Sequence, residues 1–146
     1  MSEENVEIVR AVYGPFDGVD VAGIDWDNEV IREILERWYS PDVETTTLES
    51  GIGSGPSRSY SGWDGQVRYL KEWFGPFSEY RTDILDYIDA GDRVIVPVHA
   101  SGIGSGSGIR VEMELVISNE VRDGRITRVD QYDTVEDALE AAGLSE

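Results

Sequence analysis

Cysteine is absent from the 146-residue chain, which excludes disulfides, thiolate metal sites and a cysteine nucleophile. Histidine occurs once, as His99, so no histidine cluster can hold a metal, and no metal site is expected. Basic residues are scarce: 12 against 30 acidic ones give a net charge of −18. Such a charge repels nucleic acid and anionic membrane surfaces, and neither is expected as a partner. The acids are spread along the chain rather than gathered in a tail, so they read as solvated surface. A salt-adapted host would produce the same composition. No apolar run approaches the roughly 20 residues that span a bilayer. The first residues are acidic where a signal peptide would be basic, and a cytoplasmic protein is expected. Ser-Gly-Ile-Gly-Ser-Gly occurs at 50–55 and 101–106, but neither copy leads into Lys-Ser/Thr or a helix start, as a phosphate-cradling loop would. Both read as flexible strand connections, and no cofactor is expected.

What is present is one domain, residues 1–146, long enough to bury a core. Ser2 is placed to cap a first helix, with Glu3 and Glu4 favourable at its positive end. Val6, Val9, Tyr13 and Phe16 repeat at three- and four-residue spacing until Gly14-Pro15 stops or kinks the helix. A second helix is predicted over about 28–39, with Val30, Ile31, Ile34, Leu35 and Trp38 inward and Ser40-Pro41 ending it. A third, from about Ser61, carries Val67, Leu70, Trp73 and Phe74 up to Gly75-Pro76. Strands are expected at about 43–48, 57–60, 79–89, 92–101, 109–121 and 125–133, with a short helix over 134–142.

The last three strands are long and joined by tight turns, so they can only form an antiparallel meander. Asp123-Gly124 is the clearest turn, because both positions of a two-residue hairpin loop need positive φ. Helices precede the meander, and the expected class is α+β with helices on one face of a curved sheet.

Several strings also carry a resemblance: 3–10 (EENVEIVR), 41–44 (PDVE), 90–94 (AGDRV), 122–126 (RDGRI) and 136–143 (EDALEAAG). Together with the element order, they resemble the SnoaL-like branch of the nuclear transport factor 2-like superfamily over nearly the whole chain. The resemblance implies a cone-shaped roll, in which a strongly curved, mostly antiparallel sheet, about three helices and a short C-terminal helix enclose a cavity. It does not imply one activity, since isomerases, cyclases, epoxide hydrolases and ligand binders share the fold. Family members often stay helical where this chain has Gly-Pro-Phe, at 14–16 and 75–77. Both helix exits should therefore be sharper here, each followed by a buried phenylalanine.

Strand alternation then assigns the lining. Charged residues alternate with apolar ones at 110–119, which turns Met113, Leu115, Ile117 and Asn119 inward. Val98 and Ala100 share that face, as do Thr127, Val129, Gln131 and Asp133 of the last strand. The expected ligand-binding set is Tyr13, Leu35, Trp38, Thr45, Thr47, Leu70, Trp73, Val98, Ala100, Met113, Leu115, Ile117, Asn119, Val129 and Gln131. Such a lining suits a small hydrophobic molecule held by one or two hydrogen bonds. Ile95, Pro97, His99, Val116 and Ser118 fall on the outer face, where a homodimer is expected. Arg128, Asp130 and Asp133 read as a surface ion pair or as a carboxylate site at the strand end.

By the resemblance, the base, tyrosine and protonated acid of ketosteroid isomerases fall at Thr47, Val12 and Ile117. The Asp-Arg-Asp set of limonene-epoxide-type hydrolases falls at Ala100, Val98 and Gln131. Neither set is kept. The leading expectation is a cofactor-free binding domain. Its rivals are an isomerase or cyclase of polyketide- or steroid-like substrates using Tyr13 with Asp133, and a dimeric interaction domain with a filled core. Each positioned acid or base contributes on the order of 10²–10⁴ in rate. The protein should accordingly turn over neither a 5-ene-3-ketosteroid nor limonene epoxide, and steady-state rates well above buffer for either would contradict this.

Overall fold

The computed structural model describes residues 2–47 and 58–143. Helix α1 spans Ser2–Tyr13, already including Ser2, and gives way at Gly14–Phe16 to a single 3₁₀ turn. Helix α2, Glu29–Trp38, starts where the Asn28 side chain accepts a hydrogen bond from the Ile31 amide at 3.0 Å. Ile31 and Leu35 are its buried residues; Val30, expected inward, is 63% exposed because it stands one position off the stripe. Strand β1, Tyr39–Thr46, follows without a loop. Pro41 is therefore inside a strand, in a stretch where the pairing register shifts and a missing amide costs little. Strand β2 is Ser59–Ser61, and helix α3, Gly62–Phe74, opens on Gly62 at φ 74°.

Strands β3 (Phe77–Ile84), β4 (Ile88–Ala90), β5 (Arg93–Gly104), β6 (Arg110–Arg122) and β7 (Arg125–Tyr132) follow, and α4 (Val135–Ala141) closes the described chain. The expected strand over 79–89 is two strands. Between the Ile84–Val98 and Ile88–Ile95 pairs, three residues stand opposite two on β5. The break falls at Pro97, whose carbonyl accepts from the Leu85 amide but whose own nitrogen has nothing to donate.

The seven strands form one open sheet in the order β2-β1-β7-β6-β5-β3, with β4 also on β5. Among the described strands, only β1 and β7 pair in parallel. Asp123 (φ 52°) and Gly124 (φ 81°) make the β6–β7 turn, as their sequence predicts. The second Ser-Gly-Ile-Gly string is not a loose connection: its first four residues belong to β5. Gly102 is buried beneath the Phe77 ring, where an added Cβ would meet a ring carbon at 2.8 Å. The first string lies outside the described residues. Phe16 and Phe77, expected buried, are half-buried against the core.

Helices α1–α3 cover one face of the sheet, and α4 lies on the other. Ala138, Val135 and Leu139 of α4 pack with Ile95, Val116, Ala90 and Tyr132. This accounts for the apolar outer face without a second copy of the chain. Ile95, Val116 and Ser118, expected at a dimer interface, are already 0–4% exposed in the single chain. Of that set, Pro97 and His99 stay half-buried, with His99 Nε2 3.1 Å from Glu112. Beside α4, Arg93 donates to Asp130 (3.2 Å) and Ser118 (3.1 Å), and Arg128 donates to Asp130 (2.9 Å). The Arg128–Asp130 pair is thus an ion pair, without Asp133.

A register shift between Glu120 and Val121 changes the lining expected from β7. Ile126 and Val129 both enter the core, while Thr127 turns out to the Glu120 carboxylate at 2.8 Å. Glu112 and Glu114 are exposed and Ile117 packs against the core, as alternation requires. Leu35 is 2% exposed, so Leu35→Ala should cost about 2–5 kcal/mol of stability, while Val30→Ala should stay within about 0.5 kcal/mol. Urea denaturation of the two variants measures both.

Candidate functional site

Between the three helices and the sheet lies an inner cavity of about 160 Å³. Its walls come from α1 (Val12, Tyr13), α2 (Ile31, Ile34, Leu35), α3 (Gln66, Tyr69, Leu70, Phe74) and the strands (Tyr39, Thr82, Ile84, Ile117, Val129). Phe16, Val21 and Trp26 of the connecting segment complete it. The Trp26 ring stacks on Phe74, centroids 5.2 Å apart at 21°, and Phe74 meets Tyr80 edge-on at 4.8 Å. Among the described residues no carboxylate, amine or imidazole lines this space.

Tyr13, Gln66 and Tyr69 are held from behind. Tyr13 donates its hydroxyl to Asn119 Oδ1 at 3.0 Å, and Asn119 Nδ2 donates to the Val94 carbonyl at 3.5 Å. Gln131 Nε2 donates to the Tyr69 oxygen at 3.0 Å, and the Thr45 hydroxyl donates to Gln66 Oε1. Burial raises the pKa of Tyr13, Tyr39 and Tyr69, and the cost of having neighbouring phenolates raises it further. All three phenols are therefore neutral donors near pH 7.

Tyr69 is also a wall of a second, outer cavity of about 550 Å³, shared with Thr47, Arg58, Tyr60, Glu72, Trp73, Phe77, Ser105, Ser107 and Met113. Here the Tyr60 hydroxyl donates to Glu72 Oε1 at 2.6 Å, and Arg58 donates to the same oxygen at 3.0 Å. Those bonds, Tyr60's first, hold the Glu72 carboxyl below its usual pKa, which makes it a weaker base. The Arg68 guanidinium lies 5.3 Å from the centre of the Tyr60 ring. Thr47 and Arg58 are tied together, the Thr47 amide donating to the Arg58 carbonyl at 2.8 Å and the Arg58 amide to Thr47 Oγ1 at 2.9 Å.

The SnoaL-like domain profile matches residues 25–129, well over half of the chain. The chain belongs to the SnoaL-like domain family. No curated protein sequence matches it. Among solved structures, TerC co-crystallised with polyporic acid is similar at 26% identity and TM-score 0.66, covering 96% of this chain and 98% of that one. A protein from Jannaschia sp. CCS1 named after the SnoaL-like polyketide cyclases is similar at 17% identity and TM-score 0.68, covering 99% and 94%. A protein of ketosteroid isomerase-like fold from Catenulispora acidiphila, in complex with trimethylamine, is similar at 17% identity and TM-score 0.63, covering 94% and 93%.

Within this SnoaL-like scaffold, Tyr13, Leu35, Leu70, Ile117 and Val129 line the inner cavity, and Thr47, Trp73 and Met113 line the outer one. Thr45, Asn119 and Gln131 are buried behind the walls, the first holding Gln66 and the others holding tyrosines. Val98, Ala100 and Leu115 are packed core and line neither cavity, and Trp38 sits under the Arg37 guanidinium at the end of α2. Asp133 is exposed beyond the end of β7 and lines neither cavity, so no Tyr13–Asp133 pair forms. Tyr39, Gln66, Tyr69, Tyr60, Arg58 and Glu72 were not anticipated. Gln66, Tyr69 and Trp73 share one face of α3 at spacings of three and four; that signal was legible but hidden beside the more apolar Val67–Leu70–Phe74 stripe. Tyr39 reads as a helix end, and only the direct α2–β1 junction turns it inward.

Among the described residues no group of three or more His, Asp or Glu could hold a metal ion. Because the folded-state pKa of Glu72 lies below its ordinary value of 4.5, its contribution to stability is present above that pH and lost as pH falls through the lower folded value. Glu72→Gln should therefore melt below the wild type at pH 7, with the gap closing in acid. Paired melting curves from pH 7 to pH 3 would show it.

Proposed function

We propose that this SnoaL-like domain binds a small hydrophobic molecule, with an apolar ring in the inner cavity and any larger portion in the outer one. The observation that supports it best is the inner lining itself: aromatic and aliphatic walls, neutral polar groups fixed from behind, and no acid or base among the described lining residues. A buried apolar space of about 150 Å³ is enough to bind benzene, and this one, partly open to solvent, is about 160 Å³. A space of that size speaks against a filled-core interaction domain.

A polycyclic substrate exceeds the inner cavity and would have to reach into the outer one past Tyr69. The isomerase or cyclase reading is weaker on chemistry too. Glu72 is the one carboxylate among the described residues lining either cavity, and Tyr60 and Arg58 already engage it. That the similar protein TerC was co-crystallised with polyporic acid supports a small organic ligand.

Benzene titrated into the protein labelled at its methyl groups tests the reading. Leu35, Leu70 and Ile117 resonances should shift through ring-current effects, with Val116, beneath α4, as an unmoved control. If saturating benzene leaves the three cavity residues in place, the binding reading is wrong.

A further inference from the structure

We infer that the inner cavity holds a site for an acceptor oxygen: Tyr39, Gln66 and Tyr69 present hydrogen-bond donors that fit a neutral carbonyl or quinone oxygen on a ring-sized ligand. The inference rests on the binding reading and deepens it by naming the ligand's chemistry.

The three side chains are 6%, 5% and 8% exposed and line the same cavity. The Tyr39 hydroxyl has no hydrogen-bond partner among the described residues, although the Tyr39 backbone carbonyl accepts from Trp63 at 3.1 Å and Arg125 at 3.4 Å. Gln66 uses its oxygen to accept from Thr45, and its NH₂ donates to no described residue. Tyr69 uses its oxygen to accept from Gln131, which leaves its own proton without a described acceptor. Tyr13 differs, since its proton is given to Asn119. Folded proteins rarely leave a buried donor unmatched, because the lost hydration is not recovered. Three such donors around one cavity make an arrangement that an acceptor from outside the chain completes.

Their placement suits one small ligand. Gln66 and Tyr69 are one turn apart on α3, facing β1, and the Tyr39 phenol lies within electrostatic reach of the Tyr69 phenol. A neutral acceptor is favoured over an anion because no cation lines the space among the described residues, and a buried carboxylate would lose its hydration without a counter-charge. Burial also keeps the phenols protonated, so the donors persist through neutral pH.

The test compares benzene with cyclohexanone, labelled with ¹³C at its carbonyl, on the wild type and on Tyr39→Phe. Tyr39→Phe should fold and melt no lower than the wild type, since the hydroxyl it deletes has no partner among the described residues. Measured against benzene on the same protein, cyclohexanone should bind about fivefold to tenfold more weakly to Tyr39→Phe than to the wild type, the worth of one buried hydrogen bond. The bound carbonyl resonance should lie further downfield in the wild type than in the variant. Equal cyclohexanone affinities, or equal carbonyl shifts, would overturn the oxygen site while benzene binding left the cavity reading standing. If neither probe bound the wild type, both readings would fall.

Discussion

Strands β5 and β6 share a continuous antiparallel ladder from Arg93–Glu120 to Ile103–Arg110, and the rest of the molecule takes its position from that pairing. Along β5, Val94, Val96, Val98 and Ala100 are at most 2% exposed on the helix side, while Ile95 is fully buried on the other. A ladder covered on both faces must be apolar on both, and that requirement explains α4 as well as α1–α3. Where Pro97 removes a donor, the neighbouring edge splits into β3 and β4. Where β6 and β7 slip register, Ile126 joins Val129 inside.

Charge is distributed in the opposite sense. The chain carries a net charge of −18, yet the inner cavity has no charged wall among its described residues. Polar groups that do reach inward are neutral, and most are braced by a second residue: Asn119 behind Tyr13, Gln131 behind Tyr69, Thr45 behind Gln66. On the proposed binding reading, a space built this way would hold an uncharged molecule by shape and a hydrogen bond. Among its described lining residues there is no carboxylate, amine or imidazole that could take a proton from carbon at neutral pH. The outer cavity is where charge reappears, with Glu72 committed to Tyr60 and Arg58.

Much of the fold was legible because its signals are local. Gly14-Pro15, Gly75-Pro76 and Asp123-Gly124 end or turn elements through backbone restrictions that need no tertiary context. The inward set on β6 followed from charged residues alternating with apolar ones. The candidate site was legible only in part. Tyr39 and Gln66 look like a helix end and a solvent-facing helix position until β1 and α3 are packed together. Thr127 was misplaced because a one-residue register change reverses which side chains face inward, and Asp133 because β7 ends at Tyr132, one residue before it. That α4 packs over Ile95 and Val116 on the outer face was not legible from any local signal.

A crystal of the protein exposed to pressurised xenon tests the central claim most directly, since xenon occupies dry apolar cavities and needs no specific ligand chemistry. The account predicts a xenon atom among Leu35, Ile117 and Phe74, with the surrounding side chains unmoved. A structure in which those side chains close on one another, with no xenon between them, would contradict it.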